Sequence, residues 1–299
     1  MKLGSVAMFV TMAAIIKATS DHVPPGEAVF FRSAFALPVI VLWLVWRREL
    51  ATGFRAHDPL GHFWRGFVGV MAMGLGFAGL GLLPLFEVQA IGYAAPLLVV
   101  VFAAMFLGER VRAFRLGTVA LGLAGVLVIL APRLTAFGDG SLAPREALGA
   151  VVVLMSAVCA ALAQVFVRRL VQTETTSSIV FWFSITAAGL SLLTIPFGWV
   201  VPTPGEAALL MTAGALGGVG QILLTSAYRG ADASVVAPFD YASILLALGI
   251  GYAVFGEVPT PQMLVGAAIV VLAGVLVIWR ERRLGLARGN ARKTMTPQG

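Results

Sequence analysis

LGERVRAFRLGTVALGLAGVLVI (Leu107 to Ile129) and FGEVPTPQMLVGAAIVVLAGVLVI (Phe255 to Ile278) are one pattern written twice. Each copy ends an apolar segment in Gly-Glu, makes a short polar turn, and enters a second apolar segment that closes on AGVLVI. Five apolar segments separate one copy from the next. An odd number of crossings puts the two Gly-Glu turns on opposite sides of a membrane. Inverted repeats of this kind are the architecture of secondary transporters, which hold a substrate site near the bilayer midplane.

The composition agrees. Of 299 residues, 59% are hydrophobic and only 12% charged, too little charge to cover a water-soluble surface. Ten apolar stretches approach the length needed to cross about 30 Å of hydrocarbon. They lie near 3–20, 28–46, 66–83, 88–107, 116–131, 147–167, 178–196, 207–227, 234–255 and 261–279. With the N-terminus inside, seventeen Lys and Arg fall on the cytoplasmic side and two, Arg133 and Arg145, outside. That asymmetry is the positive-inside signature. It accounts for the net charge of +7 without a nucleic-acid partner. The expectation is an all-α integral membrane protein of ten transmembrane helices in two inverted five-helix repeats, with both termini cytoplasmic. The first repeat would span 1–131 and the second 147–279, with an extracytoplasmic connection at 132–146 and a basic tail at 280–299.

Several residues within the segments could do chemistry. Ionisable groups in a membrane are costly and therefore functional candidates. Lys17 and Arg32 sit at similar depth on the first hairpin. They either draw an anionic or zwitterionic substrate into an outward-facing cavity or snorkel to the interface, pairing with Asp21 or Glu27. Asp240 follows Pro238 in segment nine and is a candidate for substrate binding and for proton coupling. A capping or helix-pairing role is the alternative. Tyr241 and Ser243 could supply hydrogen bonds beside it.

Pro96 and Pro238 interrupt corresponding segments of the two halves. Broken helices free backbone groups for a substrate, or merely shape the bundle. In segment eight Gly214, Gly217, Gln221, Thr225 and Tyr228 recur on one helical face, either lining a polar pathway or joining helices. Gly214 and Gly218 form a GxxxG that would serve a homodimer or packing within one chain. Gly108, Glu109, Gly256 and Glu257 belong to the repeat motif. Glycine ends a helix readily, and an acid favours the positive end of the next one.

The doubled Gly-Glu turn, the AGVLVI endings, Lys17 and Arg32 on the first hairpin, and the APFDY run (Ala237 to Tyr241) together resemble the EamA-type repeat of the drug/metabolite transporter superfamily. The resemblance covers essentially the whole chain. It implies a carrier in the bacterial inner membrane that moves small metabolites, often outward and often against a proton gradient. Membrane lipid and a small-molecule metabolite are then the partners. Lys17 and Arg32 with Asp240 suggest a zwitterion, amino-acid-like or amine-bearing.

No cofactor or metal is expected. Cys159 is the single cysteine, and His57 and His62 lack the spacing of a zinc site. There is no P-loop and no catalytic triad. A polytopic enzyme acting on lipid-linked substrates would have to use Arg55, His57, Asp58, His62 and Arg65, a mixed cluster more simply read as a solvated loop. A passive channel is the remaining alternative. The leading expectation is a proton-coupled exporter working by alternating access.

Overall fold

A computed structural model describes residues 1–107, 113–138, 144–170, 173–230 and 237–294. Among them there are helices and no strands. The helices are α1 (Lys2–Thr19), α2 (Pro25–Trp46), α3 (Leu50–Gly53), α4 (Pro59–Leu82), α5 (Leu85–Gly92), α6 (Ala94–Leu107), α7 (Ala113–Gly138), α8 (Pro144–Leu170), α9 (Thr176–Leu192), α10 (Pro204–Gly230), α11 (Ala242–Phe255) and α12 (Pro261–Thr294). A 3₁₀ turn over Ala237–Tyr241 leads into α11. Seven helical spans are long and apolar enough to cross a membrane. Three shorter apolar helices cover Leu116–Pro132, Ser177–Leu192 and Phe239–Phe255.

These segments are helical because in lipid each backbone polar group must find its partner within the segment. Their starts follow local chemistry. Asp58 caps α4 through Gly61 N at 2.9 Å, and Pro59 takes the first helical position, where no N–H is needed. Thr203 and Glu206 form a reciprocal capping box at α10, with Glu206 N 3.3 Å from Thr203 Oγ1 and Thr203 N 2.8 Å from Glu206 Oε2. Gly256 ends α11 in the left-handed region at φ +66°, which a glycine enters without strain.

Three boundaries differ from the hydropathy reading. The third crossing begins at Pro59, not near 66, because His62 and Arg65 depress the local hydropathy while lying inside the helix. The helix that contains the fifth expected segment, α7, runs through Pro132 to Gly138, and residues 139–143 of the expected connection lie outside those described. The fourth is two helices, broken at Tyr93. Pro96 sits three residues after that break, in the first turn of α6, where its missing N–H has no cost. Tyr93 and Tyr241 each lie fifteen residues before the glycine of their Gly-Glu. Both mark a helix interruption, and their rings stack with centroids 5.0 Å apart.

The packing is reciprocal. In the interior α1 lies on α10 and α8 on α4; α2 lies on α10 and α9 on α4; α1 meets α11 and α8 meets α6. The pairs α2·α9, α7·α12 and α5·α11 are also in contact. Small residues permit the approach. A Cβ at Gly214 would stand 2.5 Å from Phe35 Cβ and 2.9 Å from the Phe31 carbonyl oxygen. One at Gly218 would stand 3.2 Å from the Ala36 oxygen. The GxxxG face of α10 is thus filled by α2 of the same chain. Leu42, Trp46, Phe197, Leu245 and Val254 are exposed on the outside, as a lipid-facing surface requires.

Candidate transport site

The α4 face that meets α9 carries His62, Arg65, Gly66 and Gly69, spaced to share one side of a helix. Gly66 abuts Thr186, and Gly69 abuts Phe183, whose Cε2 would lie 2.8 Å from an added Cβ. The glycines bring α4 close enough for Arg65 to lay its guanidinium on the Phe183 ring, with Cζ 3.5 Å from the centroid. Arg32 on α2 approaches the same ring, with Cζ at 5.8 Å. Gly217 of α10 gives Arg32 room: a Cβ there would lie 3.2 Å from Arg32 Nε and 3.1 Å from Met12 Sδ. Arg32 is 7% exposed. Among the described residues neither arginine has a carboxylate within ion-pair distance.

Lys17 is differently placed. Its Nζ donates to the carbonyl oxygens of Leu83 at 2.7 Å and Leu80 at 3.0 Å and pairs with Glu257 Oε1 at 3.1 Å. An ammonium has three donors, and all are used. Glu257 Oε2 in turn accepts from Leu85 N at 2.8 Å, the first helical residue of α5. An acid at a helix N-terminus was expected from the motif, but the helix is α5 rather than α12. Gly108 and Glu109 lie outside the described residues. Glu27 accepts from Val200 N at 3.1 Å, so it does not serve Lys17 or Arg32.

Asp240 pairs with Lys2 Nζ at 2.7 Å. Its backbone oxygen accepts from the Tyr93 hydroxyl, which also lies 2.8 Å from Ser243 Oγ. The Tyr241 hydroxyl sits against Gly274, where any side chain would displace it. Lys2–Asp240 and Lys17–Glu257 therefore tie α1 to the second half near both of its ends. Gln221 is half-buried one turn beyond Gly217. The side chains of Thr225, Tyr228 and Pro238 lie outside those described.

The loop cluster before the third crossing resolves into a clasp. Glu174, between α8 and α9, accepts from the backbone N–H of His57 and from Asp58 N at 2.8 Å, and lies 3.3 Å from His62 Nε2. Burial pushes this carboxyl upward. The two N–H donors, the His57 ring and the His62 charge outweigh that and hold it below the ordinary carboxylate value. A depressed acid stabilises the fold above its unfolded pKa, and that contribution is lost as pH falls through the lower folded value. Glu174→Gln is expected to cost about 1–3 kcal/mol near neutrality and to flatten the acid limb of a melting-temperature profile. An unchanged acid limb in the variant would assign that pH dependence elsewhere. Among the described residues no group of His, Cys, Asp and Glu could hold a metal ion.

Arg65 is the site residue that sequence reading missed, because it was counted with the loop. Its signal was available: an arginine three residues after His62 and four before Gly69, at the head of an apolar helix.

Comparison with known proteins agrees with this architecture. The riboflavin transporter of Rhizobium johnstonii is 29% identical over 261 residues, 87% of this chain and 83% of that protein. The pseudopaline exporter of Pseudomonas aeruginosa is 32% identical over 269 residues, covering 89% and 90%. The S-adenosylmethionine uptake transporter of Rickettsia bellii is 26% identical over 257 residues, covering 86% and 84%. A solved crystal structure superposes with a TM-score of 0.67 at 23% identity, covering 94% of this chain and 97% of the other; that likeness speaks to the fold alone. These relatives put the chain among multi-pass membrane transporters of small molecules, not among enzymes. Residues 1–131 and 147–280 match the EamA-like transporter family, to which this chain belongs.

Proposed function

We propose that this chain is a secondary active transporter that moves a small polar metabolite by alternating access. It would use ten spans in two inverted halves, residues 1–131 and 147–279, in the bacterial inner membrane with both termini cytoplasmic. The observation that carries the reading is the reciprocal packing. The largest contacts between the two halves come in pairs, α1·α10 with α8·α4 and α2·α10 with α9·α4, and among the described residues the charge of Arg32 at their interface has no carboxylate within ion-pair distance. Rocking of two such halves about a central site exposes it to each side in turn.

The ion pairs at the two ends of α1 supply the coupling in this scheme. Protonation of Asp240 removes its charge and breaks the ion pair by which Lys2 ties α1 to the 3₁₀ turn before α11. The direction in this proposal is outward movement of substrate against inward proton flow. The test is proteoliposomes with an imposed pH gradient. Asp240→Asn is expected to reduce gradient-driven flux at least about tenfold, as for an intramembrane acid in a proton relay, while the protein still inserts. Undiminished coupled flux in that variant would remove Asp240 from the mechanism. Equal movement with and without the gradient would favour a passive channel.

A further inference from the structure

We propose that Arg32 and Arg65, both beside the Phe183 ring, form an oxyanion-binding site at the centre of the bundle that takes the carboxylate or phosphate group of the transported metabolite. The inference rests on the transporter reading above and names its substrate class.

The first argument is the missing counter-charge. The ion pairs of lysine and arginine with described acids are Lys2–Asp240, Lys17–Glu257 and Arg47–Glu49. Glu174 is engaged with His57, Asp58 and His62, and Glu27 with Val200 N. Among the described residues, then, Arg32 is buried and Arg65 half-buried with its Nε and Nη1 atoms enclosed, and neither has an acid within ion-pair distance. Burying an unpaired ion is costly, and here two like charges approach one ring. Their Cζ atoms are no farther apart than the sum of 3.5 and 5.8 Å. A ring face attracts a cation but cannot neutralise two.

The second argument is independent. The buried side-chain polar atoms without a partner among the described residues are Ser33 Oγ, His62 Nδ1, Arg65 Nε and Nη1, and Trp182 Nε1. All belong to α2, α4 and α9, the three helices that bring Arg32, Arg65 and Phe183 together. Guanidinium, indole and hydroxyl groups are donors. A donor-rich locus whose described acid, Glu174, is already engaged by His57, Asp58 and His62 selects an acceptor-only group, and guanidinium forks match carboxylate and phosphate geometry.

The third argument is depth. Arg32 is seven residues into α2 and Arg65 six residues into α4, roughly 9–10 Å from their respective helix starts at 1.5 Å per residue. Those starts are at opposite ends of the bundle, so the two side chains reach from opposite ends to a common middle. A midplane site between repeats is where a transported group must sit. Lys17 and Asp240 are each engaged in ion pairs, so the zwitterion suggested by the sequence narrows to an anion.

The experiment uses the full chain in lipid nanodiscs, incubated with a defined mixture read by mass spectrometry after separation. The anions are succinate, benzoate, glycerol phosphate and inorganic phosphate; choline and spermidine are the cations and glucose the neutral control. The expected result is retention of anions in preference to the others, reduced about tenfold or more in Arg32→Gln and in Arg65→Gln, with Arg65→Lys intermediate. Ligand-free Arg65→Met is expected to melt no lower than wild type, because it removes repulsion and an unpaired buried charge; a purely structural arginine would give the opposite sign. Retention of cations or glucose over anions overturns the inference, as does retention of no anion at millimolar concentration, or equal anion retention by wild type and both glutamine variants. The same mixture in proteoliposomes separates the two readings. Movement of choline without anions leaves a transporter and removes the anion site. Anion retention without movement keeps the site and removes the transporter.

Discussion

Lys17→Met is expected to destabilise the protein by about 3–5 kcal/mol, the usual cost of removing one partner of a buried pair. The Lys17 and Glu257 side chains are each 15% exposed. Without the ammonium, Glu257 keeps a single N–H donor from Leu85, and the carbonyls of Leu80 and Leu83 lose theirs. Those carbonyls belong to the last turns of α4 and its exit, so the loss spreads to the junction of α4 with α5. The double variant Lys17→Met, Glu257→Gln is expected to lose less than the sum of its parts, since no charge is then stranded. A thermal unfolding cycle in nanodiscs measures that coupling. Strict additivity would mean that the pair contributes nothing beyond its separate hydrogen bonds.

Gly266→Val is expected to cost about 1–3 kcal/mol through overpacking and to lower the yield of inserted protein. A Cβ at Gly266 would stand 2.5 Å from Ile129 Cγ1, 2.8 Å from the Gly125 oxygen and 3.0 Å from Ile129 N. Two of those three atoms are backbone and cannot rotate aside. The contact is mutual, since a Cβ at Gly125 would stand 2.9 Å from the Gly266 oxygen. Gly117→Ala on the same α7 meets nothing within 4 Å and is the control. It should be neutral or gain up to about 1 kcal/mol from helix propensity. If both substitutions behave alike in thermal unfolding, the α7–α12 seam does not depend on close backbone approach.

Most of the crossings could be read from the sequence because lipid imposes one rule on every segment: be apolar and be helical. The reading faltered where polar residues sit inside a helix. Arg65 and His62 concealed the first two turns of α4, and Pro132 disguised the continuation of α7. Arg32 was recognisable as an intramembrane charge, but its neighbour across the ring was not, since Arg65 lies on a helix whose apolar window begins one residue later. Lys17 was equally visible, yet its partner Glu257 is 240 positions away, and no spacing rule links them. Glu257 was read as meeting the N-terminus of the helix that follows it; its carboxylate accepts from Leu85 N at the start of α5, a contact that only tertiary packing makes. The pairing of Tyr93 with Tyr241 was latent in the repeat register, obscured by the more conspicuous prolines.

The reciprocal packing has a consequence for biosynthesis. α1 finds its main partner in α10, which begins at Pro204. At about 5–20 residues per second, the ribosome delivers that partner on the order of 10–40 s after α1 has emerged. Over that interval the newly inserted α1 and α2, with Lys17 lacking Glu257 and Arg32 without the Phe183 ring, must be sheltered by the insertion machinery or by lipid headgroups. Helices α1 and α2 cannot finish packing before α10 arrives, so their assembly is a late event, and a ribosome stalled after α7 would leave a fragment marked for proteolysis.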